Sequence, residues 1–239
     1  VSEIIRSCKE FGVSFALDDF GTGYSSLTYL KRLAVHQLKI DQSFVRDMLD
    51  DPDDLAILEG VLGLANAFQR QVIAEGVETV VHGEMLLRLG CDLAQGFGIA
   101  RPMTADELPG WIATWSPDPA WHDLPVVSSL DLPVIFSSTS HRAWVSNLEK
   151  FLRQEKDCPP EMNVDLCRLG SWINTEGRSR YGADPAFTDI GHLHQKMHEL
   201  ARDLCELAEG ERRGDALDRM CEIYYLRDRL LDRLKMLIG

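Results

Sequence analysis

Two adjacent aspartates, Asp18 and Asp19, follow a short apolar stretch and precede two glycines, Gly21 and Gly23. Neighbouring carboxylates repel each other and resist desolvation, and a hard divalent cation relieves both costs by binding their oxygens. Glycines at this point let the backbone turn sharply and come close to a ligand. The run therefore predicts a Mg²⁺ or Mn²⁺ site at the end of a strand, with an ordinary acidic turn as the alternative.

Polar residues also follow three later apolar stretches: Lys39 with Asp41, then Glu75, then Gln95. Because the carboxyl ends of parallel strands meet on one face of a barrel, we expect these groups to lie near the aspartates. Carboxylates that hold two metal ions about 3.5–4 Å apart are typical of phosphodiester cleavage. Lys39 can orient a water or neutralise phosphate, and Glu75 can serve as general base. Taken singly, each residue also fits a surface or helix-capping role.

A second candidate site lies in the last hundred residues. His194 and His198 are four apart on a predicted helix, so their side chains share a face at a separation of about 5–6 Å. Two imidazoles at this spacing can bind one zinc ion, and Cys167 and His141 on two other predicted helices can complete a set of four. His192 points the opposite way and is not expected to be a ligand. From the residues alone, a zinc site and packed core histidines both remain open.

The elements that position the first set of residues alternate between strand and helix. The sequence predicts helix 2–11, strand 14–18, helix 25–32, strand 36–40, helix 54–69, strand 71–75, helix 79–89, strand 92–94 and helix 105–115. Four strands that alternate with helices favour a parallel sheet with crossover helices, and hence an α/β fold.

The second half is predicted to be all-α. Four prolines between residues 117 and 133 indicate a linker or a wrap along the first domain, because proline interrupts helices and strands. Beyond them the apolar period is helical and predicts helices at 138–155, 163–177, 186–208 and 212–238. Short connections favour an antiparallel bundle. The predicted domains are residues 1–115, a proline-rich linker over 116–136, and a helical domain over 137–239.

Composition limits the class of partner. The 239 residues include 38 acidic and 25 basic side chains, for a net charge of −13, which argues against a nucleic-acid polymer because such surfaces are basic. No apolar run reaches the roughly 18 residues of a membrane span, and no signal peptide is evident. The six cysteines form no close-spaced framework, so we expect a cytoplasmic, reducing setting.

Four runs of the first half resemble the later motifs of the EAL-type cyclic-di-GMP phosphodiesterases in order and separation. They are Asp18-Asp19-Phe-Gly-Thr-Gly-Tyr-Ser-Ser, Lys39-Ile-Asp41-Gln-Ser-Phe, Ile73-Ala-Glu75-Gly-Val-Glu78-Thr, and Gln95-Gly96 through Pro102. The resemblance covers residues 1 to about 115. It implies a TIM-like (β/α) barrel that linearises cyclic-di-GMP to pGpG with Mg²⁺ or Mn²⁺.

The resemblance also implies a role for each matching residue. Asp18 would bridge the metal ions and Asp19 would bind the second one. Lys39 would hold the attacking water, and Glu75 would be base or metal ligand. Glu78 would support the site, and the loop over residues 20–26 would link dimerisation to catalysis. The residues implied for substrate binding are Gln95, Gly96 and Pro102.

The family's Glu-Ala-Leu strand, its metal-binding Asn and the Glu of the next strand precede these motifs and are absent here. A barrel of this type takes about 250 residues, so we expect the C-terminal half of a barrel and half of a metal site. The chain opens with Val1 directly into a helix and is interpreted as a fragment. We therefore expect that it does not hydrolyse cyclic-di-GMP by itself, and that open strand edges favour self-association as a homodimer.

Three runs of the second half resemble the chemoreceptor zinc-binding (CZB) domain: His141-Arg-Ala-Trp144, Cys167-Arg-Leu-Gly170-Ser-Trp172 and His194-Gln-Lys-Met-His198. The resemblance covers about 137–238 and implies a four-helix bundle that holds Zn²⁺. The implied ligands are His141, Cys167, His194 and His198. Four protein ligands fill a tetrahedral zinc and leave no catalytic position, so the site would be structural or regulatory. A metal-bound thiolate is also a point of oxidation.

Together the two resemblances imply a cytoplasmic signalling protein in which a zinc-binding bundle regulates hydrolysis of a bacterial second messenger. One alternative is a degenerate barrel that binds cyclic-di-GMP without cleaving it. Another is a zinc-responsive dimerisation module that binds no nucleotide.

Overall fold

The computed structural model describes residues 2–22, 30, 33, 35–210 and 212–238. The helix predicted over 25–32 falls almost wholly outside these ranges. The chain divides into two compact units, one formed by residues 1–49 and 53–127 and the other by residues 50–52 and 128–239. Strands occur in the first unit and helices make up the second, so the predicted order of an α/β part followed by an all-α part is confirmed.

The first part of the chain forms a parallel sheet with helices. Its elements are α1 (Ser2–Glu10), β1 (Ala16–Phe20), β2 (Gln37–Ile40), α2 (Gln42–Asp47), α3 (Pro52–Ala67), β3 (Gln71–Glu75), α4 (Val80–Arg88), β4 (Ala94–Gln95) and α5 (Leu108–Thr114). The strands lie in the order β1-β2-β3-β4, and every neighbouring pair is parallel. Leu38, Ile40 and Ala74 are fully buried. Chain order and spatial order therefore coincide, as in successive βα units of a barrel.

Strand β1 differs from its predicted span of 14–18. It runs to Phe20, so Asp18 and Asp19 lie within the strand and not after it. The register with β2 shifts between Leu17 and Phe20, and Asp19 has a φ of 51°, a left-handed conformation that aspartate tolerates better than most residues. This irregularity re-aims the two neighbouring carboxylates, which is a common use of a bulge beside a functional site.

Helix α2 was not predicted, because six residues are too few for a helical period to show. Its N-cap is Asp41, whose carboxylate accepts a hydrogen bond from the N–H of Ser43 at 2.8 Å. The hydroxyl of Ser43 donates to the same carboxylate oxygen. This bond, followed by the one from the N–H, lowers the pKa of Asp41. Of the two roles open to Asp41, the capping role is the one found.

The proline-rich segment after α5 packs along α4. It contains a 3₁₀ turn, Pro119–Trp121, and the indole Nε1 of Trp121 donates to the carbonyl of Val80 at 2.8 Å. The N–H of Val127 donates to the carbonyl of Arg88 at 2.7 Å, at the other end of the helix. Of the two predicted roles, linker or wrap, residues 119–127 therefore adopt the wrap.

The second unit is helical. Its elements are α6 (Leu132–Leu152), α7 (Arg168–Trp172), a π-helical turn (Ile173–Gly177), α8 (Arg178–Tyr181), α9 (Pro185–Glu209), α10 (Arg213–Asp218) and α11 (Met220–Leu237). They enclose one apolar core that includes Leu148, Leu152, Ile190, Met197 and Leu230. None of the helices described here is long and apolar enough to cross a lipid bilayer.

Several boundaries in the second unit differ from the prediction, and α10 and α11 are separate helices where one was predicted over 212–238. Helix α6 begins at Leu132, inside the stretch predicted as linker, because Pro133 sits in the first turn of the helix, where no intrahelical N–H bond is needed. The second helix begins at Arg168 and not at residue 163, because Cys167 forms its N-cap.

Candidate metal centres

The first candidate centre lies at the carboxyl ends of the strands. Asp18 and Asp19 from β1 and Glu75 from β3 each place a carboxylate oxygen within 4.8 Å of the other two. Strands β1 and β3 flank β2 on either side, so the aspartates and Glu75 meet across the middle strand. Three converging carboxylates are the oxygen donors that a hard divalent cation requires.

Lys39 of β2 lies between these carboxylates. Its Nζ donates to Oδ1 of Asp18 at 2.7 Å and forms an ion pair with Glu75. The hydrogen bond to Asp18, followed by that to Glu75, raises the pKa of Lys39. The lysine is therefore a fixed positive charge that offsets part of the acidic repulsion, and it lies where it can also meet a negatively charged substrate.

Gln95 is in register with Glu75 across the β3–β4 pair. Its Nε2 donates to Oε1 of Glu75 at 2.8 Å, and Lys39 pairs with the same oxygen. The next residue, Gly96, fits because it has no side chain: an added Cβ would lie 2.2 Å from the carbonyl oxygen of Val77. The strand end and the loop after β3 can approach this closely only with glycine here.

A groove of about 520 Å³ begins at Glu75 and Gln95. The residues that the sequence analysis assigned to the site and that line this groove are Glu75, Glu78, Gln95, Gly96 and Pro102. Phe97 and Arg101 line it too, although neither was among the predicted site residues. The guanidinium of Arg101 lies 4.8 Å from the ring centroid of Phe97, and Phe97 is 57% exposed. The aromatic residue directly after Gly96, with an arginine four residues later, was the signal in the sequence that could have found them.

The second candidate centre is buried in the helical unit. His194 and His198 come from α9 and His141 from α6, and one donor atom of each lies within 4.8 Å of the others. The ring centroids of His194 and His198 are 4.6 Å apart, and those of His141 and His194 are 5.0 Å apart. All three side chains are almost fully buried. His192 is exposed, as the helical spacing predicts.

Cys167, at the N-terminus of α7, contacts one of these histidines. Its Sγ lies 3.0 Å from Nε2 of His194 and accepts a hydrogen bond from the N–H of Gly170 at 3.3 Å. Gly170 has no room for a side chain, since an added Cβ would lie 1.7 Å from the carbonyl oxygen of Val164. Desolvation raises the pKa of the Cys167 thiol, so a neighbouring cation is needed to favour its thiolate.

Two of the three imidazoles carry a buried nitrogen without a partner. Nε2 of His141 and Nε2 of His198 form no hydrogen bond with any part of the chain that the structure describes. Nδ1 of His198 lies 3.2 Å from the carbonyl oxygen of Met162, which assigns the proton to Nδ1 and leaves the lone pair on Nε2. An unsatisfied buried acceptor costs about 1–3 kcal/mol, and a metal ion bound there would remove this cost.

The electrostatics of the histidine cluster favour neutral rings. Burial, then the neighbouring histidines, hold the pKa of His141 well below its usual range. Burial lowers the pKa of His194 to about 3 and also lowers that of His198. Neutral imidazole is the form that binds metal. The three imidazoles converge as zinc ligands do, and Cys167 contacts one of them, His194.

Trp144 forms one wall of the histidine cluster. Its ring stacks on His141 with centroids 5.4 Å apart and lies 4.6 Å from the ring of His198. Its Nε1 donates to the carbonyl of Glu161 at 2.7 Å, which fixes the indole between α6 and the segment before α7. The three-residue spacing from His141 placed Trp144 on the same helical face.

Two family models match the chain. Residues 1–102 match the EAL domain, and residues 141–205 match the chemoreceptor zinc-binding domain. Among curated proteins, the bifunctional diguanylate cyclase/cyclic di-GMP phosphodiesterase MucR of Pseudomonas aeruginosa is 47% identical over 105 residues, which are 44% of this chain and 15% of MucR. The oxygen sensor protein DosP of Escherichia coli is 41% identical over 113 residues, 47% of this chain and 14% of DosP.

Another curated cyclic di-GMP phosphodiesterase of P. aeruginosa is 40% identical over 112 residues, 47% of this chain and 19% of that protein. The chain thus spans less than a fifth of the length of these three relatives. Among solved structures, the MucR phosphodiesterase in complex with c-di-GMP is 46% identical, with a TM-score of 0.43 over 45% of this chain and 43% of that one. The EAL domain of Mycobacterium smegmatis DcpA is 46% identical, with a TM-score of 0.45 over 47% of this chain and 50% of that one. Residues 1–102 are therefore similar to a segment of EAL domains, and residues 141–205 are similar to chemoreceptor zinc-binding domains.

Proposed function

We propose that this chain is the part of a zinc-responsive cyclic-di-GMP phosphodiesterase that carries one side of the catalytic site and the zinc sensor. The observation that carries the proposal is the carboxylate cluster of Asp18, Asp19 and Glu75 around Lys39 at the strand ends. The proposed reaction opens cyclic-di-GMP to pGpG. Two of the similar curated proteins are named as cyclic di-GMP phosphodiesterases, which supports this choice of substrate.

In this proposal the three carboxylates hold Mg²⁺ or Mn²⁺, which supplies a Lewis acid for the phosphoryl oxygens and lowers the pKa of bound water. The side chains of the chain itself position the reacting groups and neutralise the charge of the phosphate. Lys39 is held by Asp18 and Glu75 at the point where a phosphate arrives, and Gln95 orients Glu75. Glu75 is either the general base or a metal ligand. The exposed face of Phe97 and the cation of Arg101 suit a base and a phosphate of the nucleotide in the adjoining groove.

The proposed role of the zinc ion is structural or regulatory. His141, Cys167, His194 and His198 would occupy all four tetrahedral positions, which leaves no open position for a substrate. A site that needs three buried imidazoles and a thiolate orders the surrounding helices when it is filled. We propose that this ordering, together with dimerisation of the chain, regulates the hydrolysis of cyclic-di-GMP in the cytoplasm.

A chimera tests the catalytic part of the proposal. The segment of MucR that matches residues 1–102 is replaced by residues 1–102 of this chain, and pGpG formation with Mn²⁺ is followed by chromatography. We expect the chimera to hydrolyse cyclic-di-GMP and its Glu75→Gln variant to be slower by about 10²-fold or more, because Glu75 is placed as base or ligand. Glu3→Gln, an exposed acid on α1, serves as the control and should leave the rate unchanged. A folded chimera without activity, or with full activity after Glu75→Gln, contradicts the assignment.

A further inference from the structure

The start of α6 is held by the end of α8 through one carboxylate. Oδ1 of Asp131 accepts a hydrogen bond from the hydroxyl of Tyr181 and lies 2.7 Å from Nε of Arg180. Oδ2 of Asp131 accepts from Nη2 of Arg180 at 3.0 Å and from the hydroxyl of Ser128 at 2.6 Å. A two-point contact between guanidinium and carboxylate is strong and directional. Residues 128–131 are therefore fixed to residues about fifty positions later in the chain.

Asp131 is also the N-cap residue of α6, yet its side chain makes no capping bond to that helix. An N-cap aspartate ordinarily accepts from the second or third N–H of its own helix. Here the carboxylate is turned to Arg180 and Tyr181. The first turn of α6 consequently depends on the position of α8 more than on a cap of its own.

The helical run that ends at Tyr181 begins beside the candidate zinc ligand Cys167. It is unbroken from Arg168 to Tyr181, which is about 20 Å at 1.5 Å per residue. Sγ of Cys167 caps this run and contacts His194. The two ends of one rigid element thus reach the histidine cluster and the start of α6.

The middle of this run is a π-helical turn, Ile173–Gly177. Such turns hold an extra residue in a helix, are rare, and are frequent at functional sites. Gly177 lies in a tight space, because an added Cβ would lie 2.9 Å from the carbonyl oxygen of Trp172 and 3.0 Å from the ring of Phe187. The turn is therefore fixed by close packing, which lets the run move as one element.

We infer that the run from Cys167 to Tyr181 is a relay that transmits zinc occupancy to residues 128–134 at the start of α6. The inference rests on the proposed zinc site. Sγ of Cys167 cannot keep its present contact with His194 unchanged when both become ligands of one ion, and the same sulfur caps the run. A shift at that end moves Arg180 and Tyr181, and Asp131 moves with them because α6 has no competing cap.

Hydrogen exchange of the 239-residue chain with and without zinc tests the relay. The reporting amides are those of Asp131 and Leu132, which donate to the carbonyl of Ser128, and that of Val134, which donates to Asp131. We expect zinc to slow exchange over residues 168–181. At the three reporting amides, exchange should slow by about fivefold or more, because fivefold is the lower end of typical coupling between two sites. Bound zinc is measured in the same samples.

Paired variants separate the relay from the zinc site. Arg180→Gln and the double variant with Tyr181→Phe should keep zinc binding and the response near Cys167 but lose the response at Asp131, Leu132 and Val134. Arg178→Gln, an exposed arginine on the same helix, should keep both responses. The relay alone is overturned if these amides still respond to zinc in the double variant. It is also overturned if they do not respond in the zinc-bound natural sequence. If no zinc binds, the zinc site and the relay are overturned together. If the double variant does not fold, Arg180→Gln and Tyr181→Phe are measured separately, and an undiminished response at these amides in both single variants overturns the relay.

Discussion

At the scale of single residues, the two centres differ in how their ligands are prepared. The carboxylates of Asp18 and Asp19 are exposed and partly neutralised by Lys39, so the protein holds them at little cost without a metal. The histidines are buried, and two of their nitrogens have no partner among the residues described. These nitrogens lower the stability of the helical unit, and a metal ion that paired with them would raise it.

The first residue-scale prediction concerns Cys167. Replacing it by alanine removes one of four donors and also the cap that accepts from Gly170. Removing an outer-shell partner of a ligand already costs 10–100-fold in metal affinity, so we expect Cys167→Ala to weaken zinc binding by at least about 100-fold. Competition with a chromophoric chelator measures this affinity. Cys158→Ala, which changes an exposed cysteine, is the matched control, and an unchanged affinity in Cys167→Ala rules out the proposed ligand set.

At the scale of elements, α4 connects the carboxylate site to the proline-rich wrap. The helix begins at Val80, directly after the loop that carries Glu78, and Thr79 caps it. Trp121 covers its first half and donates to Val80. Gly83 makes this contact possible, since an added Cβ would lie 2.5 Å from the indole. The wrap therefore stabilises the position of α4, and through it the loop beside the groove.

The element-scale prediction uses two helical glycines in different surroundings. Glycine to alanine inside a helix is ordinarily stabilising by up to about 1 kcal/mol, and Gly63 of α3 has open space around its Cα. We expect Gly63→Ala to raise the midpoint of thermal unfolding or leave it unchanged. Gly83→Ala should lower the midpoint, because the new methyl group displaces the indole of Trp121.

Limited proteolysis checks the cause of that difference. In Gly83→Ala the segment over residues 116–127 should be cleaved faster than in the natural sequence, while Gly63→Ala should leave the cleavage rate unchanged. Equal rates in all three proteins would mean that Trp121 does not hold the wrap on α4.

At the scale of the whole molecule, the described strands form a sheet of four, whereas a (β/α)₈ barrel closes with eight. Within the ranges that the structure covers, one side of β1 and one side of β4 pair with no further strand. Unpaired edges and exposed apolar side chains such as Phe11 and Ile112 favour association with another barrel segment or a second copy.

We therefore predict that the 239-residue chain alone forms no pGpG from cyclic-di-GMP in the presence of Mn²⁺, while the chimera described above does. Chromatography of overnight reactions at high protein concentration measures this. Product that increases in proportion to the chain and disappears with Glu75→Gln would contradict the prediction. The mass of the chain in solution, measured by light scattering, shows whether a dimer accompanies either result.

Much of both centres was predictable because it depends on local spacing. Residues four apart on a helix share a face, which placed His194 beside His198. Polar residues at successive strand ends meet on one face, which brought Glu75 to Asp18. Strand β3 was predicted over the residues that form it. Helix α2, with six residues, is shorter than the window in which a period can be recognised, and the extent of β1 depends on its register with β2.

The sequence by itself determined the order of the elements, the resemblance of two segments to known domains and the candidate ligands, because periodicity and motif spacing are properties of neighbouring residues. Only the tertiary structure decided that Trp121 packs on Gly83, that Asp131 binds Arg180 and not its own helix, and that Asp18 and Asp19 lie in an irregular strand. Each of these features depends on contact between residues far apart in the chain, and their energies are set by packing and burial that no local pattern records.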